Sequence, residues 1–375
     1  MFERKDVNNL EKRIICHIDF DYFFAQCEEI RNPSIKDLPV LVCVFSGRTK
    51  ESGIVSTSNY VARKYGIKSG MPIRTAKSKL KDIESVVFLP VDYEYYETIS
   101  KKAFSLILSI AKVINYEIIG LDECFLDLTS ICRGFQEATA LAKNIKNHLL
   151  NELYLSCSVG ISYNKLLAKI ASEYKKPNGF FIINPNETIQ IISNLDISVI
   201  PGIGQKNKRR LNELGIKTVR ELSEKNITFL KKTFGNRFGE YLHLSSIGIN
   251  EDPINKKIEN KQITRIKTLK QYSDNIEYVQ SALSELCKSI YSELRHQDLL
   301  FRNVGLIFID NKLKVTNRSK NLKKYTQNLN DLTDPVNSLF LEYISTYDIL
   351  KLRRIGVKVC MLKKYEGQRN LTNYM

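Results

Sequence analysis

Two acidic groups, far apart in the chain, sit in apolar surroundings: Asp19 and Asp21 in Ile18-Asp19-Phe20-Asp21-Tyr22-Phe23-Phe24, and Asp122 and Glu123 in Leu121-Asp122-Glu123-Cys124-Phe125-Leu126-Asp127. A carboxylate set into a hydrophobic strand is costly unless it is neutralised, and oxygen donors suit hard cations such as Mg²⁺ or Mn²⁺, which hold and polarise phosphates. The chemistry these residues suggest first is phosphoryl transfer.

Those acids need elements to hold them. From Arg13 to Asp21 the sequence alternates with period two, so Ile15, His17, Asp19 and Asp21 share one face of a strand and Ile14, Cys16, Ile18 and Phe20 the other. At ~3.3 Å per residue the two aspartates lie roughly 6.6 Å apart along the chain. Strict alternation would send Asp122 and Glu123 to opposite faces, so a turn or bulge is required there. A helix is expected from Tyr22 to Ile30.

From Val86 onward the pattern predicts a strand (86–90), a helix (93–113), strands (115–119 and 123–129), a helix (136–151), a strand (154–162) and a helix (164–175). With the opening strand, this resembles the β-α-β-β-α-β layout of a ferredoxin-like sheet. Residues 33–80 form a smaller strand–turn–strand–helix unit, and Lys176-Pro177-Asn178-Gly179 ends the last helix. Residues 186–248 look all-helical and contain Pro201-Gly202-Ile203-Gly204 before a basic helix, where backbone N–H groups at a positive helix end suit a DNA phosphate. Beyond the polar run 250–262, strands at 304–309 and 354–359 and helices at 276–294 and 335–347 predict a small α+β domain.

The bulk properties agree with a polyanionic partner. The chain has 57 Lys+Arg against 41 Asp+Glu, a net charge of +16. Half of that excess falls in residues 245–375, which makes the C-terminal third a candidate grip on a phosphate backbone. None of the eight cysteines forms a C-x-x-C pair and most lie in apolar runs, as reduced core thiols do, so a cytoplasmic setting without membrane attachment is expected.

Five segments, Asp19-Phe20-Asp21-Tyr22-Phe23-Phe24-Ala25-Gln26, Ser56-Thr57-Ser58-Asn59-Tyr60-Val61-Ala62-Arg63, Leu121-Asp122-Glu123, Lys175-Lys176-Pro177-Asn178-Gly179 and Pro201-Gly202-Ile203-Gly204, together resemble the Y family of translesion DNA polymerases, in particular the archaeal DinB or polymerase IV type. The resemblance implies a multi-domain α+β right hand: palm at 1–24 and 89–183, fingers at 25–88, a thumb with a helix-hairpin-helix at 184–248, a linker at 249–260, a little finger at 261–362 and a tail at 363–375. It implies template-directed addition of deoxynucleotides to a primer 3′ end at low fidelity, without proofreading, as part of lesion bypass and repair.

Residue by residue, the resemblance makes Asp19, Asp122 and Glu123 catalytic and, with the carbonyl of Phe20, ligands of two Mg²⁺ ions, Mn²⁺ being the alternative. It assigns the triphosphate to Tyr22, Phe23, Phe24, Thr57, Tyr60, Arg63 and Lys176, the exclusion of ribonucleotides to Phe24, and DNA contact to Gly202, Gly204 and Lys206. Asp21 is read as a supporting residue. Gln368, Leu371 and Tyr374 have the spacing of a sliding-clamp-binding box. The implied partners are primer-template DNA, deoxynucleoside triphosphates and a clamp, acting on a monomer. Two other readings stand beside this one: a nucleotidyl cyclase, which needs no Pro201-Gly202-Ile203-Gly204, and a non-catalytic DNA-binding scaffold, which needs no acids.

Overall fold

Six consecutive buried residues form strand β1 (Ile15–Phe20), and four of them, Ile15, Cys16, Ile18 and Phe20, are apolar. β1 is the middle strand of a sheet ordered β5 (Tyr116–Ile119), β6 (Glu123–Asp127), β1, β7 (Cys157–Ser162), β8 (Phe180–Ile182). It pairs antiparallel with β6 and β7, and β8 adds on parallel to β7. Helices α4 (Tyr93–Ala111) and α5 (Phe135–Leu153) make the crossovers. The order β7-β1-β6-β5 is the ferredoxin-like arrangement expected from the pattern, extended by one strand.

The period-two split of β1 holds. Cys16, Ile18 and Phe20 belong to the core that includes Phe104 and Ile107 of α4 and Ala138, Ala142, Ile145 and Leu149 of α5. Each fully buried Ile, Leu or Phe side chain of this core contributes roughly 1.5–3 kcal/mol. On the other face, Ile15 packs with Phe125 and Ala168, beneath helix α6 (Lys165–Tyr174). α6 lies directly on β7 at Gly160, where a Cβ would come within 2.1 Å of the Ala168 carbonyl and 2.3 Å of the Ser172 nitrogen. Only glycine permits that approach, and it brings the polar side chains of α6 over the acidic face of β1.

The computed structural model describes residues 13–49, 51–254, 261–269, 275–347 and 352–365. The candidate clamp box, Gln368, Leu371 and Tyr374, lies outside them. The chain divides into two compact units, one of Met1–Cys43, Val55–Met71 and Thr75–Lys257 and the other of Val44–Ile54, Pro72–Arg74 and Ile258–Met375. Among the described residues, no helix is long and apolar enough to cross a membrane.

After β1, helix α1 (Phe23–Arg31) leads to β2 (Val40–Phe45), β3 (Gly53–Ser58), α2 (Tyr60–Lys64), α3 (Ile73–Lys79) and β4 (Val87–Pro90). β4 pairs parallel with β2 in a separate sheet ordered β3-β2-β4, so the strand predicted at 86–90 does not belong to the ferredoxin-like sheet. After β8 come α7 (Thr188–Ile192), α8 (Gln205–Glu213), α9 (Val219–Ser223), α10 (Ile227–Phe234) and α11 (Asn236–Ser246), gathered on a core of Ile192, Ile197, Ile203, Leu211, Leu230 and Leu242.

The second unit contains β9 (Gln262–Thr268), α12 (Ile276–His296), β10 (Leu299–Asp310), β11 (Val315–Thr326), α13 (Asn330–Ile344), β12 (Leu352–Cys360) and β13 (Lys363–Lys364). Its sheet runs β11-β10-β12-β9 and its core joins Phe301, Val304 and Phe308 to Leu283, Ile290, Leu339 and Phe340 of the two helices. This is the small α+β domain that the alternation predicted. The cysteines are as expected: Cys16, Cys27, Cys43, Cys124, Cys132, Cys157 and Cys287 are buried free thiols, and Cys360 is half-buried.

Candidate active site

The strand register settles the first geometric difficulty. Asp19 pairs with Glu123 across β1 and β6, while Asp122 lies in the turn that joins β5 to β6 and accepts the Phe20 N–H at its backbone carbonyl, 2.7 Å away. Because Asp122 precedes the strand, alternation does not bind it, and both neighbours reach the end of β1. One ligand atom from each of His17, Asp19 and Glu123 falls within a mutual 4.8 Å.

These acids are held by cations of the chain itself. Lys176 Nζ donates to Asp19 Oδ1 and to Glu173 Oε1, each at 2.6 Å. Glu123 pairs with Lys169 and lies 3.4 Å from the ring Nε2 of His17. His17 Nδ1 is 2.8 Å from Ser172 Oγ, which donates to the Lys169 carbonyl, and His17 Nε2 faces Glu123.

Burial pushes the Asp19 carboxyl up to about 7, against the pull of Lys176, and burial with the adjacent Glu123 charge raises Asp122. Burial also acts to raise Glu123, but its contacts with His17 and Lys169 outweigh it and hold that group at about 2. His17 is pushed down to about 4 by burial, so its ring is neutral at pH 7. Two desolvated carboxyls with raised pKa, Asp19 and Asp122, next to a third acid make a place that suits a divalent cation.

Beside the acids lies a cavity of about 260 Å³, lined by Asp19, Phe20, Tyr22, Phe23, Phe24, Ser56, Thr57, Tyr60, Arg63, Ser69, Asp122 and Lys176. Tyr22 takes a left-handed conformation (φ 39°) just before α1, so the first N–H groups of that helix, which have no intrahelical partner, begin at the cavity. The Tyr22 hydroxyl donates to Glu29, and its ring meets Tyr60 edge-on. Arg63 lies over the Tyr60 ring and donates through Nε to the Ser58 carbonyl, which leaves its terminal nitrogens for a ligand. Phe24 stacks on Tyr96 at 4.5 Å and 14°, and the Tyr96 hydroxyl is fixed to Glu28 at 2.7 Å.

Comparison with known proteins decides the family. The impB/mucB/samB family matches at residues 18–173 and its C-terminal domain at 260–373, and a thumb domain described as that of DNA polymerase-iota matches at 198–250. The DNA polymerase IV of Nitrosopumilus maritimus is 40% identical over 366 residues, 97% of this chain and all of the relative. That of Saccharolobus solfataricus is 35% identical over 345 residues, 92% of this chain and 95% of the relative. Among solved structures, a Y-family polymerase chimera of Dbh and Dpo4 is similar with a TM-score of 0.83 at 32% identity, covering 94% of this chain and 100% of the other, and an insertion ternary complex of Dbh DNA polymerase gives 0.67 at 33%, with the same coverage.

This chain belongs to the Y family of DNA polymerases, DinB or polymerase IV type. It is a DNA-directed DNA polymerase.

In this polymerase, every residue expected to meet the triphosphate lines the same cavity, and so do Asp19, Phe20 and Asp122. Glu123 is the exception. Its carboxylate is turned toward Lys169 and His17, on the α6 side of the acids. Ser69, which sequence reasoning missed, lines the cavity from a turn with no local signature. Asp21, expected beside Asp19, lies past the end of β1 and bonds elsewhere.

In the thumb, Gly202 has φ 85°, open to glycine without strain, and Gly204 caps α8. Ile203 between them is buried, whereas Gly204 and Lys206 are exposed and Gly202 is open to solvent at an exposed turn. On β11, Arg318, Lys320, Lys323 and Lys324 are exposed along an edge strand. Arg265 and Lys267 of β9, also in the basic C-terminal third, are paired with Glu293 and Glu285 of α12.

The Asp19 environment gives a pH-dependent prediction. Its folded pKa lies above the ordinary carboxylate value, so ionising it costs stability; the cost starts near the unfolded pKa of ~3.9 and is complete above about 7. Asp19→Asn removes that cost. Thermal unfolding of metal-free protein is expected to show Asp19→Asn gaining several degrees more, relative to wild type, at pH 8 than at pH 5. An offset that does not change with pH would contradict the assignment.

Proposed function

We propose that this polymerase adds deoxynucleotides to a primer 3′ end across damaged as well as intact template bases, at low fidelity and without proofreading, in DNA damage tolerance and repair, by metal-assisted nucleotidyl transfer. The observation that carries this reading is the convergence of Asp19 and Asp122 with the phosphate-binding side chains on one cavity. Two Mg²⁺ ions, or Mn²⁺, held by Asp19, Asp122, Glu123 and the Phe20 carbonyl would acidify the primer hydroxyl and stabilise the leaving pyrophosphate.

The chain's own residues do the rest. Thr57 and Tyr60 donate hydroxyl protons to phosphate oxygens, Arg63 supplies a forked donor and Lys176 a point charge. The α1 N–H groups at Tyr22, Phe23 and Phe24 add dipoles aimed at the same oxygens. Phe24, pinned against Tyr96, fills the space a ribose 2′ hydroxyl would need. Lys176 both bonds Asp19 and lines the cavity, so its charge is in place for a triphosphate.

The domain division proposed is that of the resemblance, palm at 1–24 and 89–183, fingers at 25–88, thumb at 184–248, linker at 249–260 and little finger at 261–362, except that β4 (Val87–Pro90) pairs as a whole with β2 on the fingers side of the 88/89 boundary. Gly202, Gly204, Lys206 and the exposed cations of β11 grip primer-template DNA through its phosphates, a grip that weakens with salt. The similar Dbh DNA polymerase was captured as an insertion ternary complex, which supports DNA and nucleotide as the partners here.

Primer extension with four deoxynucleotides and Mg²⁺, on undamaged and abasic templates, tests the reading. Synthesis past the abasic site is the expected result; extension that stops at the lesion would remove the bypass role, and a cyclic nucleotide product would replace the reading with that of a cyclase.

A further inference from the structure

Asp21 is the one acid of the first motif that the chemistry above leaves unused. It is buried, 1% exposed, and does not line the cavity. Its Oδ1 accepts from Ser158 Oγ at 2.7 Å, and its Oδ2 accepts from Ser156 Oγ at 3.2 Å and from the backbone N–H of Asn178 at 2.8 Å. Ser158 Oγ in turn accepts the Gly179 N–H at 3.1 Å. From α5, Lys146 donates to the Gly179 carbonyl at 3.2 Å, to Asn178 Oδ1 at 2.9 Å and to the Cys157 carbonyl.

The segment that follows Lys176 is thus fastened through its N–H groups by Asp21 and Ser158 and through a carbonyl by Lys146. Two hydroxyls and an N–H converge on Asp21. A carboxylate accepts from all three at once; an amide keeps the Asn178 N–H only by turning its NH₂ to a serine hydroxyl, whose proton must then go elsewhere. Both oxygens are turned to this segment and its serines, away from the cavity.

We propose that Asp21 is a positioning residue that acts through Lys176: it anchors Asn178 and Gly179 to the end of β1, so that the Lys176 ammonium is presented to the triphosphate. The inference rests on the reading of Lys176 as a triphosphate ligand. It accounts for two aspartates at this spacing, one turned to the reacting phosphates and the other to the chain segment that carries their lysine.

A double-mutant cycle read by steady-state primer extension on undamaged DNA tests it. Asp21→Asn is expected to raise the KM for deoxynucleotide about tenfold and to lower kcat less than about threefold. In a Lys176→Ala background the same change should alter KM less than about twofold, since the group it positions is gone. Ser158→Ala, which removes one donor to Asp21 and the acceptor for Gly179, should raise KM in the same direction and lose its effect in the same background. It carries the test if circular dichroism shows that Asp21→Asn does not fold.

Equal factors in both backgrounds would overturn the proposal while leaving Lys176 in its role. An unchanged KM in Lys176→Ala alone, in a wild type that extends primers, would overturn the role of Lys176 and the proposal with it.

Discussion

Replacing Asp122 with Ala is expected to reduce primer extension by a factor on the order of 10³ or more. Asp122 is the acid that both lines the cavity and stands at the turn where β6 meets the end of β1. Its own carboxyl is raised by burial and by Glu123, a cost that a bound cation would relieve. On the proposed reading Asp122 would help hold the cations that act on the phosphate and the primer hydroxyl, so its loss would be felt in the transition state rather than in substrate affinity. kcat should therefore fall while binding of primer-template DNA, measured by fluorescence anisotropy, stays within about twofold of wild type. A variant that still extends primers within about tenfold of wild type would show that Asp122 is only a turn residue.

The second large effect concerns sugar selection. Phe24 is held by stacking on Tyr96 and by an edge contact with Tyr93, so its ring cannot swing aside for an added hydroxyl. Forcing an extra atom into filled space costs ~1–3 kcal/mol, equivalent to a factor of roughly 10 to 10² in relative incorporation. Phe24→Ala should lower the preference for dATP over ATP by about that factor, with deoxynucleotide incorporation less affected. The ratio of kcat/KM for the two substrates on one template is the measurement, and an unchanged ratio would reduce Phe24 to a packing residue.

Much of this site was legible before the structure because it is built from local patterns. The period-two run around Asp19 specified a strand and its two faces, and the strand order specified the ferredoxin-like sheet. The need for a turn at Asp122 followed from alternation alone. What the pattern did not carry was tertiary choice. The strand at 87–90 has the composition of a palm strand, yet it pairs with β2, since nothing local to Val87 names its neighbour.

Likewise Lys169 and Ser172 read as ordinary polar positions of α6. They acquire meaning only because Gly160 lets that helix sit against β7, over His17. Asp21 shares a strand face with Asp19 on paper; the left-handed residue that follows, Tyr22, ends the strand and frees Asp21 to bond with Ser156, Ser158 and Asn178. The charge of the C-terminal third was visible in the sequence, but the pairing of Arg265 and Lys267 with α12 was not.

The most direct test of the account is to count divalent ions by electron paramagnetic resonance of Mn²⁺ in the complex with primer-template DNA and a non-hydrolysable deoxynucleotide analogue. Two tightly held ions per chain are expected for wild type, and both should weaken in Asp19→Ala and in Asp122→Ala. The same ion count and affinity in wild type and both variants would contradict the claim that these carboxylates, distant in sequence, fold into one cation site beside the nucleotide.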